Sequence, residues 1–371
     1  MESPDYVRLS NAADITLGYS QGRFWKNAKL FCINVLLYFE DGCKANCLYC
    51  GQGRDTSSSA ICKSLIRVEW PLRPLDESIE KFRERYVGSG SFHRPYRFCV
   101  STITHAKAVK AEIEVVERIQ RELRVPVSAL ISPTIFTREA MEQLREAGAE
   151  RIGIAIDCAN KDSFFALRGK GAHGPHRYDR YLEGVREAVD IFGPGKPGIH
   201  LIVGLGETEE EAINLIRSVD DMGAETHLFS FYPEPESLLS EWKRPDIGQY
   251  RRIQLARYII NNRMADPDCM EFNEQGQIVG FGLSERFLRR ICENGEPFMT
   301  SGCPGCNRPF ANERPGEVIR NFPYHLSIKE SKTAFKQARI YEEPKNTFKH
   351  LEKYVQGKTR EKAKEISVLS A

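Results

Sequence analysis

Short apolar runs alternate with amphipathic stretches from residue 30 to about residue 262. The apolar runs are continuous, as expected of parallel strands buried on both faces. They predict strands at residues 30–39, 96–101, 125–131, 151–156, 198–203 and 226–231. Between them, apolar residues recur at helical spacing and predict helices at 75–86, 107–123, 137–147, 178–192, 208–222 and 249–262. This alternation indicates an α/β fold with a parallel sheet, and it fits an open doubly wound sheet almost as well as a partial barrel.

Two of the helices carry clear terminal signals. Thr137 stands at the N-cap of one helix, and Gly148 ends it. Thr208 and Glu211 have the spacing of a capping box, and Gly223 ends the helix that they begin. These residues mark where the two predicted helices begin and end.

The regions outside this alternation have a different character. Residues 1–28 are polar, and we expect them to be irregular, with Phe24 and Trp25 as anchors. The alternation stops after residue 264, which separates a barrel or sheet domain at 29–264 from an extension at 265–327. Residues 328–371 are rich in Lys and Glu at helical spacing. This tail is either a solvated amphipathic helix or a surface that docks a partner.

Composition narrows the class of protein. The 371 residues carry a net charge of only +2, which implies no general attraction to nucleic acid or to a membrane surface. No apolar run approaches the roughly 20 residues of a membrane span, and the start lacks a signal-peptide pattern, so we expect a cytoplasmic protein. Eleven cysteines in a chain of this size suggest metal binding or catalysis rather than disulfides.

Three of the cysteines form the densest chemical motif in the sequence. Cys43, Cys47 and Cys50 follow the first predicted strand at C-x3-C-x2-C spacing. Three thiolates on one loop can hold a metal centre and leave one of four coordination positions open. A zinc knuckle or three unrelated thiols are the alternatives, but zinc sites prefer paired cysteines with a second pair nearby.

This motif resembles that of the radical S-adenosylmethionine (SAM) enzymes, in which an aromatic residue such as Tyr49 precedes the last cysteine. The resemblance implies that Cys43, Cys47 and Cys50 are catalytic residues that hold a 4Fe–4S cluster. SAM would bind the open iron and be cleaved to a 5′-deoxyadenosyl radical. The resemblance also favours a partial (β/α)6 TIM-type barrel with a cysteine-containing C-terminal extension over the open sheet.

A second resemblance lies at the end of the fifth predicted strand. Ile202, Gly204 and Glu207 match the I-x-G-x-x-E strand end of radical SAM enzymes, which borders the adenine of SAM. An ordinary βα turn is the alternative. The upstream glycine of the longer family motif is His200 here, so that part of the resemblance fails.

Other strand ends carry polar groups that the resemblance makes candidates for SAM binding. Ser101 and Thr102 replace the family segment that holds the SAM amino group, although turn capping would also explain them. Asp157 can bind ribose hydroxyls or the amino group, or cap a helix. Arg168 can pair with the SAM carboxylate, or lie solvated on the surface. Tyr232 faces the same mouth after the sixth strand.

A second set of cysteines lies in the extension. Cys303 and Cys306 form a C-x2-C turn with Pro304 and Gly305 between them, which can point both thiolates at one metal. We expect a second, auxiliary 4Fe–4S cluster here, with Cys292 as third ligand and Cys269 as a further one. A zinc site, a redox pair or buried thiols are the alternatives.

The segment at 203–208 resembles the biotin synthase and lipoyl synthase branch of the family. The closest likeness is to a subunit of the two-protein, archaeal-type lipoyl synthase, which implies a sulfurtransferase of lipoate biosynthesis that inserts sulfur into an octanoyl chain. Its implied partners are an octanoylated carrier protein or lipoyl domain, a second radical SAM subunit, and ferredoxin or flavodoxin. The alternatives are a radical rearrangement or methylation with zinc at the C-terminal cysteines, or a metal-binding module without enzymatic activity.

Overall fold

The structure of the chain is a computed structural model. It describes residues 1–56, 64–65, 68–88, 94–235, 237–311, 313, 316–344 and 347–369. Cys62, one of the eleven cysteines, lies outside these ranges.

The described strands are β1 (Tyr6–Leu9), β2 (Cys32–Leu37), β3 (Ser64–Leu65), β4 (Val68–Glu69), β5 (Leu72–Pro74), β6 (Arg97–Ser101), β7 (Val127–Ile131), β8 (Ala149–Asp157), β9 (Pro197–Val203), β10 (Glu225–Ser230), β11 (Met270–Phe272) and β12 (Ile278–Phe281). The described α-helices are α1 (Asn11–Leu17), α2 (Leu75–Tyr86), α3 (Ala108–Leu123), α4 (Arg138–Glu146), α5 (Lys161–Leu167), α6 (Tyr178–Phe192), α7 (Glu209–Asp221), α8 (Ile247–Asn261), α9 (Glu285–Cys292), α10 (Ile328–Gln337) and α11 (Phe348–Leu369). The six strands predicted from the apolar runs are β2 and β6 to β10.

Within the described part of the chain, eight strands form one sheet in the order β10-β9-β8-β7-β6-β2-β1-β5. The six strands β2, β6, β7, β8, β9 and β10 are parallel to one another, and helices connect them. This is the partial (β/α)6 TIM-type barrel expected from the resemblance. The parallel strands put their carboxyl ends at one rim, where the cysteine loop after β2 lies.

The expectation that residues 1–28 are irregular is wrong. Strand β1 pairs antiparallel with β2 and β5, so it extends the sheet beyond the parallel strands. Helix α1 then begins at Ser10, whose side chain accepts a hydrogen bond from the backbone of Ala13. The four-residue strand and the seven-residue helix are too short for a periodic signal, and pairing with β2 stabilises them.

The extension after the barrel packs against α8 through buried arginines. Arg251 donates to the carbonyl oxygen of Arg320 at 2.6 Å and to Gln337 Oε1 at 3.0 Å. Arg252 forms a buried ion pair with Glu209, the first residue of α7. Because buried guanidinium groups need such partners, the contacts of Arg251 join α8 to the residues after the barrel, whereas the Arg252–Glu209 pair joins α8 to α7.

The segment before β2 also contacts the extension. Asn307, in the extension, accepts a hydrogen bond from the backbone of Phe31 at 3.2 Å, and its amide donates to the carbonyl oxygen of Lys29. The rings of Trp25 and Phe310 lie 5.9 Å apart. Phe24 and Trp25 line the same cavity as Phe310, so residues before β2 and residues of the extension together form one of its walls.

None of the helices in the described ranges has the length and apolar character that crossing a membrane requires.

Candidate active site

A cavity of about 550 Å³ occupies the barrel interior. Alternate residues of the parallel strands face it, which is the pattern that the pleat of a strand produces. On β2 these residues are Cys32, Asn34 and Leu36. Cys43, Cys47 and Cys50 line the cavity at the carboxyl end of the strands, while Cys303 and Cys306 line it from the extension. The two cysteine motifs predicted from the sequence therefore face one space.

The loop that carries Cys43, Cys47 and Cys50 is fixed by backbone hydrogen bonds to other parts of the barrel. Lys44 donates to the carbonyl oxygen of Thr104 at 2.7 Å, and Leu48 donates to that of Leu167 at 2.9 Å. The carbonyl oxygen of Leu48 accepts in turn from Leu239. These bonds hold a segment without regular secondary structure in a single arrangement.

The three thiols of this loop fit an iron–sulfur cluster. Burial raises the pKa of Cys47 to about 12 and also raises that of Cys50, and repulsion from Cys43 acts on both in the same direction. A metal can replace the thiol protons in such a site, because cysteine binds metal as the thiolate. The described residues contain no group of three His, Cys, Asp or Glu arranged around a single metal ion. The thiolates of a 4Fe–4S cluster bind separate irons, so this cluster does not require that arrangement.

Tyr49 belongs to a buried hydrogen-bond network below the loop. Its hydroxyl donates to Asp157 Oδ2 at 2.6 Å, and Arg168 donates to the same oxygen at 2.6 Å. Arg168 also donates to the hydroxyl of Tyr181 at 3.0 Å, and only 3% of its surface is exposed. The network links the cysteine loop to the end of β8.

This network excludes two of the alternatives weighed from the sequence. Asp157 does not cap a helix, because α5 begins at residue 161 with Asn160 as its N-cap. Arg168 is not a solvated surface arginine, since it is buried against Asp157. Both residues line the cavity, and Asp157 adopts a positive φ of 62°, an uncommon conformation for a residue with a side chain.

The other polar strand ends also reach the cavity. Ser101, Thr102, Ile202 and Tyr232 all line it. Thr102 donates through its hydroxyl to the carbonyl oxygen of Ile103 at 3.2 Å. The structure therefore places these four predicted site residues on the same cavity as the cysteine loop.

Gly204 and Glu207 occupy a different position, outside the lining of this cavity. Glu207 accepts hydrogen bonds from the backbone nitrogens of Gly204 at 2.6 Å and Leu205 at 2.9 Å. Gly204 has a φ of +108°, and a Cβ there would lie 2.7 Å from Pro245. The two residues shape the turn after β9, and the structure does not place them on the cavity that Ile202 lines.

Two buried polar residues of the cavity wall were not among the predicted site residues. His176 contacts Thr134 at 2.6 Å and the hydroxyl of Tyr181 at 3.0 Å, and burial lowers its pKa to about 2. The imidazole is therefore neutral. Glu234 is 4% exposed and lies within electrostatic range of Cys50. Glu234 follows the sixth parallel strand, and that position was its only signal in the sequence.

The second cysteine motif has unexpected neighbours. Cys32 lies within electrostatic range of Cys306 and also of Cys99 on the adjacent strand. Cys303 lies within electrostatic range of Cys99 and Cys306. Cys32 and Cys99 were not predicted, because isolated cysteines inside apolar runs usually pack as small hydrophobic residues.

The predicted partners of Cys303 and Cys306 lie elsewhere. Cys292 ends α9, and the charged groups that influence it are Glu285 and Arg339. Cys269 is exposed and packs against Gly282. Neither residue lines the cavity, so the prediction of Cys292 and Cys269 as ligands beside Cys303 and Cys306 is corrected.

Comparison with known proteins identifies one matching family and several similar structures. The family described as the Radical SAM superfamily matches residues 37–219. Methylornithine synthase (PylB) is 13% identical over 76% of this chain and 85% of its own, with a TM-score of 0.43. HydG, a maturase of the FeFe-hydrogenase, is 15% identical over 94% of this chain and 82% of its own, with a TM-score of 0.49. The methyltransferase TsrM from Kitasatospora setae is 14% identical over 57% of this chain and 37% of its own, with a TM-score of 0.38.

Proposed function

Because the chain belongs to the radical SAM superfamily through its domain at residues 37–219, we propose that it inserts sulfur into an octanoyl chain, as a lipoyl-synthase-type sulfurtransferase. Cys43, Cys47 and Cys50 hold the 4Fe–4S cluster on which SAM binds. The octanoyl chain is carried by a small protein or lipoyl domain. A second radical SAM subunit and a ferredoxin or flavodoxin are further partners in this proposal.

When bound, SAM at the cluster held by Cys43, Cys47 and Cys50 would supply homolytic removal of a hydrogen atom from carbon, and a second cluster would supply the sulfide for the new C–S bond and accept one electron. The protein needs no base for this, since the hydrogen leaves with one electron. Its residues orient the substrate carbon and exclude water.

The observation that carries the proposal is the cavity with cysteine groups at its two ends. Cys43 and its neighbours lie beyond the carboxyl end of β2, and Cys32 begins the strand beside Cys306. A six-residue strand is roughly 20 Å long. A substrate held between the two ends can therefore face a radical source on one side and a sulfide source on the other.

The wall between the two ends suits an alkyl chain. Ile15, Leu36, Phe229, Phe231 and Phe310 all line the cavity. Apolar surface of this kind favours a chain of methylene groups by about 0.8 kcal/mol for each group buried.

Polar groups near the cysteine loop are the proposed contacts of SAM. The hydroxyls of Ser101 and Thr102 are placed to receive its amino group, and Ile202 and Tyr232 offer apolar surface to its adenine. Asp157 and Arg168 already bind each other. We therefore assign them a positioning role, in which they fix Tyr49 and the loop that holds the cluster.

The test is incubation of the anaerobically reconstituted protein with an octanoylated lipoyl domain, SAM and dithionite, followed by mass spectrometry of the carrier. The proposal predicts a gain of one or two sulfur atoms. A Cys43→Ala variant should give none, while a Cys269→Ala variant should match the wild type, since Cys269 lies outside the cavity. Reductive cleavage of SAM without any gain of sulfur would overturn the proposal.

A further inference from the structure

Four thiols meet at the amino-terminal end of the barrel, away from the loop that carries Cys43. Cys32 is the first residue of β2, and Cys99 lies on the adjacent strand β6. Cys303 and Cys306 reach them from the extension, and all four residues line the cavity. Cys32 lies within electrostatic range of both Cys306 and Cys99. The group therefore joins residues that are more than 200 positions apart in the sequence.

The turn between Cys303 and Cys306 is built to hold this position. The backbone nitrogen of Cys306 donates to the carbonyl oxygen of Cys303 at 2.8 Å. Gly305 has a φ of +83°, and a Cβ there would lie 2.3 Å from the hydroxyl of Tyr96. Only glycine fits so close to the ring in that conformation. A Cβ on Gly302 would meet Cys306 Cβ at 2.7 Å, so this glycine permits a second close approach.

Strand residues anchor the same turn to the barrel. Arg97, the first residue of β6, donates to the carbonyl oxygen of Pro304 at 3.0 Å. Its other nitrogen donates to the hydroxyl of Ser128 at 3.0 Å, and Ser128 pairs in register with Cys99. The C-x2-C turn is thus tied to β6, the strand that carries Cys99, and through Arg97 to the adjacent strand β7.

Two arginines lie near the C-x2-C pair. Arg308 lies with a guanidinium nitrogen 3.5 Å from Cys306 Sγ, and its guanidinium also stacks 3.9 Å above the ring of Phe229. Arg151 lies within electrostatic range of Cys303. Cations of this kind offset part of the negative charge that thiolate ligands bring into a cavity.

We propose that Cys32, Cys99, Cys303 and Cys306 bind the second iron–sulfur cluster. Four cysteines are the usual ligand set for 2Fe–2S and 4Fe–4S clusters, and two of these four already form the C-x2-C pair. The role of this cluster as sulfide donor rests on the proposed function, whereas its binding by these four residues does not. The assignment replaces Cys269 and Cys292, which lie outside the cavity.

The test isolates the second site in a full-length variant that lacks the first set of ligands. In a Cys43→Ala/Cys47→Ala/Cys50→Ala background, anaerobic reconstitution should still yield a cluster, measured as iron and acid-labile sulfide per chain and as an EPR signal after reduction by dithionite. Adding Cys99→Ala and Cys306→Ala should abolish both measures. Adding Cys269→Ala and Cys292→Ala instead is the matched control and should leave both unchanged.

Several results would overturn the assignment. The cluster could be retained in the variant that lacks Cys99 and Cys306, or lost in the variant that lacks Cys269 and Cys292. The starting background could also form no cluster at all, or its four thiols could bind about one zinc ion per chain. Reductive SAM cleavage by the Cys99→Ala/Cys306→Ala variant with the first ligand set intact shows that the fold survives. If that variant does not fold, a Cys99→Ser substitution in the background must alter the EPR spectrum, because oxygen replaces a sulfur ligand, and an unchanged spectrum contradicts the site.

The outcome is separable from that of the proposed function. A protein that carries both clusters but transfers no sulfur to the octanoyl carrier would refute sulfur insertion and leave the four-cysteine site in place. A protein that transfers sulfur normally without Cys99 and Cys306 would refute the site and leave the proposed function standing.

Discussion

At the residue scale, the contact between Arg168 and Asp157 connects the barrel with the cysteine loop. The two side chains are 4% and 13% exposed, and Asp157 also accepts the hydroxyl of Tyr49. A buried ion pair costs desolvation energy, so its presence does not by itself imply added stability. Removing one partner is different, because the other charge then stays buried and unpaired.

We therefore expect Arg168→Ala to lower the free energy of unfolding by about 3–5 kcal/mol. Urea denaturation of the metal-free protein measures this. Arg177→Ala is the matched control, because Arg177 is exposed and its loss should change stability by less than about 0.5 kcal/mol. Equal effects of the two substitutions would show that the buried pair has no special importance.

Glu207 makes stability depend on pH. Burial raises its pKa to about 7, although Gly204 and Leu205 donate backbone hydrogen bonds to it. Between its ordinary pKa of 4.5 and about 7, the folded protein keeps a proton that the unfolded chain has lost. The contribution of Glu207 to stability therefore falls as pH rises through this window, by roughly 3 kcal/mol in all, and changes little above it.

A Glu207→Gln variant tests this sign. The amide cannot ionise, so the difference in unfolding free energy between variant and wild type should shift in favour of the variant as pH rises from 5 to 7. Denaturation of both proteins in metal-free form at several pH values gives the two curves. Parallel curves across this window would contradict the raised pKa.

At the element scale, local sequence determined most of the barrel. Helices Leu75–Tyr86 and Tyr178–Phe192 have the predicted bounds, and the six parallel strands lie within a few residues of the apolar runs. Thr137 and Thr208 cap their helices as predicted. The periodic signal was strong in these segments because each buries one continuous face. Strand β1 and helix α1 were missed because their stability comes from pairing and packing with distant residues.

The capping box of α7 allows a direct measurement. Thr208 accepts a hydrogen bond from Glu211 at 3.1 Å, and Glu211 accepts one from the backbone of Thr208 at 2.8 Å. Thr208→Ala should lower the free energy of unfolding by about 1 kcal/mol, whereas Thr208→Ser should lose much less because it keeps the hydroxyl. Equal losses in urea denaturation would mean that the hydroxyl makes no contribution.

The turn around Gly305 gives a second prediction at this scale. Gly305→Ala places a methyl group 2.3 Å from the Tyr96 hydroxyl in a backbone of φ +83°, so the turn that presents Cys303 and Cys306 is strained and either it or the Tyr96 ring must shift. We expect the variant to lose the second cluster and keep the first, measured as iron content and EPR signal. Gly316→Ala is the control, because Gly316 also has a positive φ, but no residue of the described ranges lies within 4 Å of an added Cβ there. If Gly316→Ala loses iron and Gly305→Ala does not, this account is contradicted.

At the scale of the whole molecule, the sequence predicted the two cysteine motifs but not how they are arranged in space. Cys292 is nearer to Cys303 in the sequence, yet Cys99 is the thiol that shares its cavity wall. The register between β2, β6 and β7 determines which side chains share a level of the barrel, and local patterns do not contain that register. The residues before β2 and the extension then complete the wall around the cavity.

The central claim is that sulfur held at one end of this cavity is transferred to a carbon activated at the other. The most direct measurement reconstitutes the protein with ³⁴S-labelled sulfide and records the mass of the octanoyl carrier after anaerobic reaction with SAM and dithionite in label-free buffer. We predict that the carrier gains ³⁴S, and that the Cys99→Ala/Cys306→Ala variant cleaves SAM without this gain. A carrier that gains only unlabelled sulfur, or none while SAM is consumed, would contradict the account.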